Sequence, residues 1–482
     1  VEDKLKNIQH ELLQACEGKA PGGISRAEFL KKVFLQAIPA AALLSFGISG
    51  CAGSGDTGGA LSSSEQPYVL LDELFGNRGG SSARSLIVII SDLHMGDQRS
   101  IDDGYGWLIK NVSALEAFLS SVASGSAIKE LVIAGDLFDE WVIPMTYDTL
   151  NGFGSDQAGE SKFFDSMIAA HPGVVAAVNK IIASGIKVTY IPGNHDMLVT
   201  EADLNRAFPG IQQKRDSPGM GTYSPEGFPE IVIEHSHRYD FSSAPDIYSN
   251  KVPYSPVNYT DNTSAILPPG FFATRIMAGI TPVSSGASLT IPQNLPAGSY
   301  GLYWADWQFL LKMLPSSIDL NAKQIKTGID GYTGVYAIND LIPQLSGQDL
   351  LPPMLYQGIE DNWNNRQLQN GTIAPISVLS GLLSAAVYTW DDDQSITQYF
   401  SKDPSKRVVV FGHTHHAALI TPSNTKNQKC ICANAGTWVD KGSPACTFVV
   451  LNPQSKSDTV DVYQYKGNNT AISLYGDIIS KG

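Results

Sequence analysis

Five short apolar runs recur along the chain, and each stops abruptly at Asp, Asn or His: SLIVIISDLH (85–94), ELVIAGDLFD (130–139), KVTYIPGNHD (187–196), IVIEHSH (231–237) and RVVVFGHTHH (407–416). Continuous β-branched and apolar residues, without polar alternation, predict strands buried on both faces. Helix-like stretches separate the first three: GWLIKNVSALEAFLSSVAS (106–124) and SKFFDSMIAAHPGVVAAVNKIIASG (161–185). Strand, helix, strand succession predicts an α/β fold, with an at least partly parallel sheet sandwiched by helices. In such sheets ligands bind beyond the carboxyl ends of the strands, which is where the polar residues stand here.

Residues 242 to 405 break this rhythm. They are rich in Pro, Gly and aromatics, and carry the helix-like stretches YWADWQFLLKML (303–314), YAINDLIPQL (336–345) and VLSGLLSAAVYTW (378–390). A structureless loop of that length does not belong inside a domain, so the segment is expected to fold as an inserted, cap-like subdomain. It divides a core expected at 85–241 and 406–482. Trp304, Trp307, Tyr332 and Trp363 would either wall the site or form the insertion's own core, and for any one of them the core is the better expectation. No internal repeat is visible.

The N-terminal region differs from both. Val33 to Gly55 holds no charged residue, follows the basic stretch SRAEFLKK (25–32), and ends in Ile48-Ser49-Gly50-Cys51. A basic segment, a short apolar core and small residues describe an export signal, expected over 1–51. The last four residues resemble a bacterial lipobox. That resemblance implies lipidation at Cys51, attachment to a membrane and a periplasmic or cell-surface location. SRAEFLKK also resembles a twin-arginine box, except that Ala27 replaces the second arginine. AGSGDTGGALSSS (52–64) opens a Gly/Ser-rich tether expected over 52–84.

Composition narrows the partners only a little. A formal net charge of -14 argues against non-specific grip on nucleic acid, which needs a basic surface, and leaves room for a local phosphate site. Beyond Cys16 and Cys51, the cysteines are Cys430, Cys432 and Cys446. One disulfide is possible in an oxidising compartment, with its pairing open, and a lone Cys-x-Cys is a weak zinc signal, so all three are read as structural.

The strand ends together hold Asp92, His94, Asp136, Asn194, His195, His235, His413 and His415. Carboxylate, amide oxygen and imidazole suit intermediate divalent metals, and the absence of cysteine argues against a structural zinc site. Even without His195, the remaining seven exceed one ion, but match two ions about 3.5–4 Å apart that share a carboxylate.

The motifs SDLH, GDLFD, GNHD, EHSH and GHTH, in that order, resemble the calcineurin-like metallophosphoesterase superfamily. The resemblance implies a layered α/β/β/α sandwich and two metal ions, whether Mn, Fe or Zn. It implies that Asp92, His94 and His415 bind the first ion, that Asp136 bridges, and that Asn194, His235 and His413 bind the second. His195 is then the catalytic acid near the leaving group, and Asp139 orients a ligand from behind. In EHSH the choice lies between His235 and His237; the first is preferred, and His237 either turns away or approaches substrate. The implied reaction is hydrolysis of a small phosphomonoester or phosphodiester by a metal-bridging hydroxide. GDLFDEW is similar to hydrolases of a UDP-linked lipid A precursor, but these carry Arg where His195 stands and act on a cytosolic substrate. The alternatives are an exported nuclease or nucleotidase of the same superfamily, and a non-catalytic surface lipoprotein retaining the fold. The acidic balance disfavours the nuclease, and the complete ligand set disfavours the scaffold. His10, His171 and His416 receive no role.

Overall fold

The computed structural model describes residues 68–76, 84–102, 104, 106–139, 141, 157–245, 268–277, 300–313, 319–323, 325–326, 335–347, 349–384 and 393–481. The export signal, Cys16, Cys51, the Gly/Ser-rich stretch and Tyr332 lie outside them.

All five apolar runs form strands, divided between two sheets. The first sheet is built from β1 (Tyr68–Leu70), β2 (Leu86–Ile90), β3 (Ile128–Ala134), β4 (Lys187–Ile191), β5 (Gln212–Gln213), β15 (Thr447–Pro453), β16 (Ser457–Gly467) and β17 (Thr470–Ser480). Their spatial order is β1-β17-β16-β15-β2-β3-β4-β5. Strands β2 to β5 run parallel, and β15 joins them antiparallel along β2. The second sheet holds β6 (Thr222–Tyr223), β7 (Ile231–Glu234), β12 (Val408–Phe411), β13 (Ala418–Ile420) and β14 (Ile431–Asn434) in the order β13-β14-β12-β7-β6. Within it β7, β12 and β14 are parallel.

Alternation along each run explains why both faces had to be apolar. Ile87 and Ile89 of β2, with Val132 and Ala134 of β3, meet Ile231, Ile233, Val408 and Val410 of the second sheet in one apolar layer. Val88 and Ile90 point the other way. There they pack under α1 (Val112–Ser124), through Leu115, Phe118, Leu119 and Val122, and under α2 (Pro172–Ala183), through Val174, Val178 and Ile181. On the far side of the second sheet, Val232, Val409 and Phe411 are covered by Tyr239, Tyr399 and Phe400 from two short helical turns. Each such side chain contributes on the order of 1.5–3 kcal/mol on full burial. Asp440 fixes the approach to α1 by accepting the backbone N–H groups of Ile109, Lys110 and Asn111, the three residues just before the helix.

The described part of the insertion contains α3 (Pro269–Met277), α4 (Gly301–Met313), the hairpin β10 (Gln344–Ser346) and β11 (Asp349–Leu351), α5 (Trp363–Gln369) and α6 (Val378–Ser384). A two-strand ladder, β8 (Ile325–Lys326) with β9 (Val335–Tyr336), lies between α4 and the hairpin. Its apolar residues, among them Phe271, Tyr303, Trp307, Ile338, Leu355 and Trp363, cluster together with Trp141, Met197, Leu198 and Phe241 from outside it. Trp307 and Trp363 thus sit in packed surroundings and Trp304 is buried as well, so for these three the core expectation holds. Arg366, itself fully buried, donates to the carbonyl oxygens of Phe241 (2.7 Å), Ala244 and Pro245 (3.0 Å), tying α5 to the turn where the insertion begins. Among the described residues no disulfide forms between Cys430, Cys432 and Cys446, and Cys430 and Cys432 are buried in the outer apolar layer of the second sheet. No single described helix is long and apolar enough to cross a membrane.

Candidate metal centre

Because β2, β3 and β4 are parallel to one another, as are β7 and β12, their carboxyl ends gather at one edge of the paired sheets. Asp92 and His94 follow β2, Asp136 and Asp139 follow β3, Asn194 and His195 follow β4, His235 and His237 follow β7, and His413 and His415 follow β12. The chain must leave its strands sharply to present them. Five of the seven predicted ligands have left-handed backbone: Asp92 (φ 57°), His94 (54°), Asp136 (52°), His413 (71°) and His415 (58°). Such a conformation costs a non-glycine residue about 1–2 kcal/mol, so its concentration here marks a constrained site. Neighbouring loops take up the exposed amides: Asp92 N–H donates to Gly135 O at 3.1 Å and His94 N–H to Asp136 O at 2.9 Å.

The glycines of GD, GN and GH serve chiefly as close-approach points. A Cβ on Gly193 would lie 2.0 Å from Asp136 Oδ1, and one on Gly412 would lie 2.1 Å from Ser91 Oγ. Only Gly135 (φ 95°) also needs glycine for its backbone, and a Cβ there would meet His235 Nδ1 at 2.3 Å. A sharp turn therefore accounts for one glycine, and space explains the other two.

Two ligand clusters result. In the first, His415 Nε2 lies 3.1 Å from Asp92 Oδ1 and 2.9 Å from His94 Nε2, while His94 Nε2 is 3.6 Å from Asp136 Oδ2. In the second, which also takes in His413, His235 Nε2 is 3.0 Å from the same Asp136 Oδ2 and 3.2 Å from Asn194 Oδ1. Asp136 stands between the two. His94 Nδ1–H donates to Asp139 Oδ2 at 2.8 Å and His235 Nδ1–H to Ala134 O at 2.8 Å, which fixes both tautomers and turns both Nε2 lone pairs inward. Imidazole nitrogens 2.9 Å apart repel unless a proton or a cation lies between them, and Asp92 Oδ1 is buried without a hydrogen-bond donor. This donor set fits bound cations.

The electrostatics agree. Burial alone would push Asp92 and Asp136 up, but the surrounding imidazoles, His235 foremost, hold both well below the usual carboxylate range. Burial opposes charge on His94, yet its hydrogen bond to Asp139 and the nearby carboxylate of Asp92 raise it to about 10. His235, against the same burial penalty, is raised to about 9 by Asp136 and Asp92. The pocket's carboxylates thus attract positive charge strongly enough to overcome desolvation.

His195 occupies the rim of the first cluster, 8% exposed, its Nδ1 2.7 Å from Asp139 Oδ1. One carboxylate thereby anchors both His94 and His195. Geometry alone would also let the His195 ring join His94 and Asp136 around an ion. Of the EHSH pair, His235 reaches Asp136. His237 is buried beside it, its ring 5.5 Å from that of His235, with neither nitrogen hydrogen-bonded, and burial holds it well below the usual histidine value.

Several residues at the site carry no role in the sequence reading. Asp196, the last letter of GNHD, accepts N–H groups from Gly193 (2.7 Å), Leu137 (2.7 Å) and Phe138 (3.2 Å), knitting the loops after β3 and β4 together. Asp240 receives His413 Nε2 at 3.2 Å, and its position closing HSHRYD was the available signal. The Trp107 ring lies 4.6 Å from His94 and 5.7 Å from His415, and Trp141 stacks on His195; neither spacing nor motif marks these two.

No curated protein matches the chain in sequence. Among solved structures, a dimetal phosphatase from Danio rerio is similar over 83% of this chain and 99% of its own, at 9% identity and a TM-score of 0.32. Residues 85–417, well over half the chain and enclosing every motif from SDLH to GHTH, match the calcineurin-like phosphoesterases, and the chain belongs to that family.

Proposed function

We propose that this phosphoesterase hydrolyses small phosphate esters, monoesters or diesters, at a centre of two metal ions. Asp92, His94 and His415 would hold the first ion, Asn194, His235 and His413 the second, and Asp136 both. The observation that carries the reading is the single carboxylate oxygen, Asp136 Oδ2, within reach of His94 on one side and of His235 on the other. Two bound cations supply charge to the phosphoryl oxygens and acidify water near neutral pH. The protein's own part is to fix the donors and to manage the leaving group. His195, anchored at Nδ1 by Asp139, has Nε2 left to give a proton to the departing oxygen, and Asp139 steadies the imidazolium before transfer. Export and lipidation at Cys51 belong to the same proposal and rest on the leader's composition.

The test is metal-dependent turnover. The protein is stripped of metal, then reloaded with Mn, Fe, Zn or Mg, and assayed on p-nitrophenyl phosphate and bis-p-nitrophenyl phosphate, with metal content measured in parallel. Activity that requires metal and disappears in Asp136→Ala supports the reading, and the ratio of the two rates assigns the ester class. A wild-type protein that retains no metal after reloading would sink it.

A further inference from the structure

Trp141 touches the site twice. Its indole stacks on the imidazole of His195, with ring centroids 4.2 Å apart and planes 23° from parallel. Its backbone N–H donates to Asp139 Oδ1 at 2.9 Å, the same oxygen that receives His195 Nδ1 at 2.7 Å. A hydrogen bond at one nitrogen leaves an imidazole free to swing about that bond, and a flat ring against its face removes the freedom. The rest of the surroundings complete the restraint: the His94 ring meets His195 edge-on at 4.6 Å, and Trp107 flanks it at 5.6 Å.

The indole is 1% exposed, and among the described residues its Nε1–H has no hydrogen-bond partner. Buried tryptophans usually find a partner for that group. Here the ring's face, not its polar edge, is what the position uses. Behind Trp141 stands the insertion. A Cβ on Gly270 would lie 3.1 Å from Trp141 Cζ3, and the Phe271 ring packs edge-on at 6.0 Å, so the first turn of α3 abuts the indole. Trp141 belongs to the apolar cluster of the insertion rather than to the layers between or beneath the sheets.

We infer that Trp141 is a positioning residue, which holds the His195 imidazole in line for proton delivery to the leaving group and makes its orientation depend on the inserted segment. This rests on the role proposed for His195. It goes beyond that role in giving the insertion a part in proton transfer, separate from any contact with substrate.

A general acid matters in proportion to how poor the leaving group is, which separates positioning from structural damage. The full chain, reloaded with Mn, is assayed on p-nitrophenyl phosphate, whose leaving group needs no proton, and on glycerol phosphate, whose alkoxide does. Trp141→Ala is expected to lower kcat on the alkyl ester about tenfold or more, a fraction of what a histidine acid contributes, with KM and metal content unchanged. The aryl ester should change by no more than about twofold. Trp141→Phe, which keeps a stacking face and removes the unpartnered N–H, should restore the alkyl rate. Equal losses on both esters, a drop in bound metal, or a failure of Trp141→Phe to rescue would each overturn the inference.

A second arm needs no turnover. In protein labelled with carbon-13 at histidine, the His195 Cε1–H signal, assigned by its loss in His195→Ala, should lie upfield under the indole ring current. It should move downfield in Trp141→Ala and stay in place in Trp141→Phe. An unmoved signal overturns the stack. Wild-type protein that binds metal, keeps this signal and hydrolyses neither ester would overturn the proposed role of His195, and with it the positioning inference, while leaving the stack intact.

Discussion

Asp139 shows how much one side chain can be asked to do. Its two oxygens hold His94 Nδ1 at 2.8 Å and His195 Nδ1 at 2.7 Å, and these imidazoles, His195 foremost, outweigh burial and lower its carboxyl from the ordinary value. Asp139→Asn should therefore damage two functions together. Metal affinity should fall about 10–100-fold, as for other residues that orient a ligand from behind, and kcat on a poor leaving group should fall by about two orders of magnitude. Titration of metal into the stripped variant checks the first, and steady-state rates at saturating metal the second. The ligands and this carboxylate were legible in the sequence because each ends an apolar run, where a strand hands its last residues to the sheet edge. Trp107 and Trp141 were not: what places them is contact across the fold, and a tryptophan two residues past GDLFD looks like any core residue until His195 is seen beneath it.

Among the elements, the five ligand-bearing strands were readable from continuous burial, and their carboxyl-end chemistry from the parallel order. Strands β15 to β17 were not drawn, although TVDVYQY within β16 alternates plainly, because they end in no chemistry that would call attention to them. How the insertion packs was also hidden, since its anchors are single polar residues. Arg366 is one. Arg366→Ala would strand the carbonyls of Phe241, Ala244 and Pro245 and open space beneath Trp363, so it should destabilise the insertion by about 1–3 kcal/mol for each carbonyl left unsatisfied, read as a lowered urea midpoint and faster proteolysis between 242 and 405. Glu360 gives the insertion a pH dependence. Burial raises it to about 7, from an ordinary 4.5, against the opposing pull of the Tyr303 N–H at the start of α4. Between those two values the folded state binds this proton more tightly than the unfolded chain, so stability from this group is greatest at the acid end and declines as pH rises through about 7. Glu360→Gln keeps the neutral form permanently. The urea midpoints of variant and wild type should converge near pH 5 and separate by pH 8, with the variant the more stable.

The whole molecule is two sheets whose shared edge carries charge that needs neutralising. Asp92, Asp136, Asp139 and Asp196 lie buried among His94, His235 and His415 within this edge, and the two ligand clusters draw on both sheets. Cations bound there link strands of one sheet to strands of the other, and ligand binding to the folded state alone adds about 2.7 kcal/mol per site at a hundredfold excess over Kd. Chelation should therefore lower the melting temperature and make it depend on added Mn or Zn, while Asp136→Ala protein should melt at one temperature with or without metal. Calorimetry of the two proteins settles this.

His94 and His415 meet although 321 residues separate them in the chain. During synthesis the ribosome releases Asp92, His94, Asp136 and Asn194 first, and the whole insertion must emerge before Val408 begins the strand that carries the last two histidines. A nascent chain thus holds Asp92, His94, Asp136, Asn194 and His235 while it still lacks His413 and His415. The centre is therefore complete only once β12 has taken its place beside β7, after the whole insertion has been made.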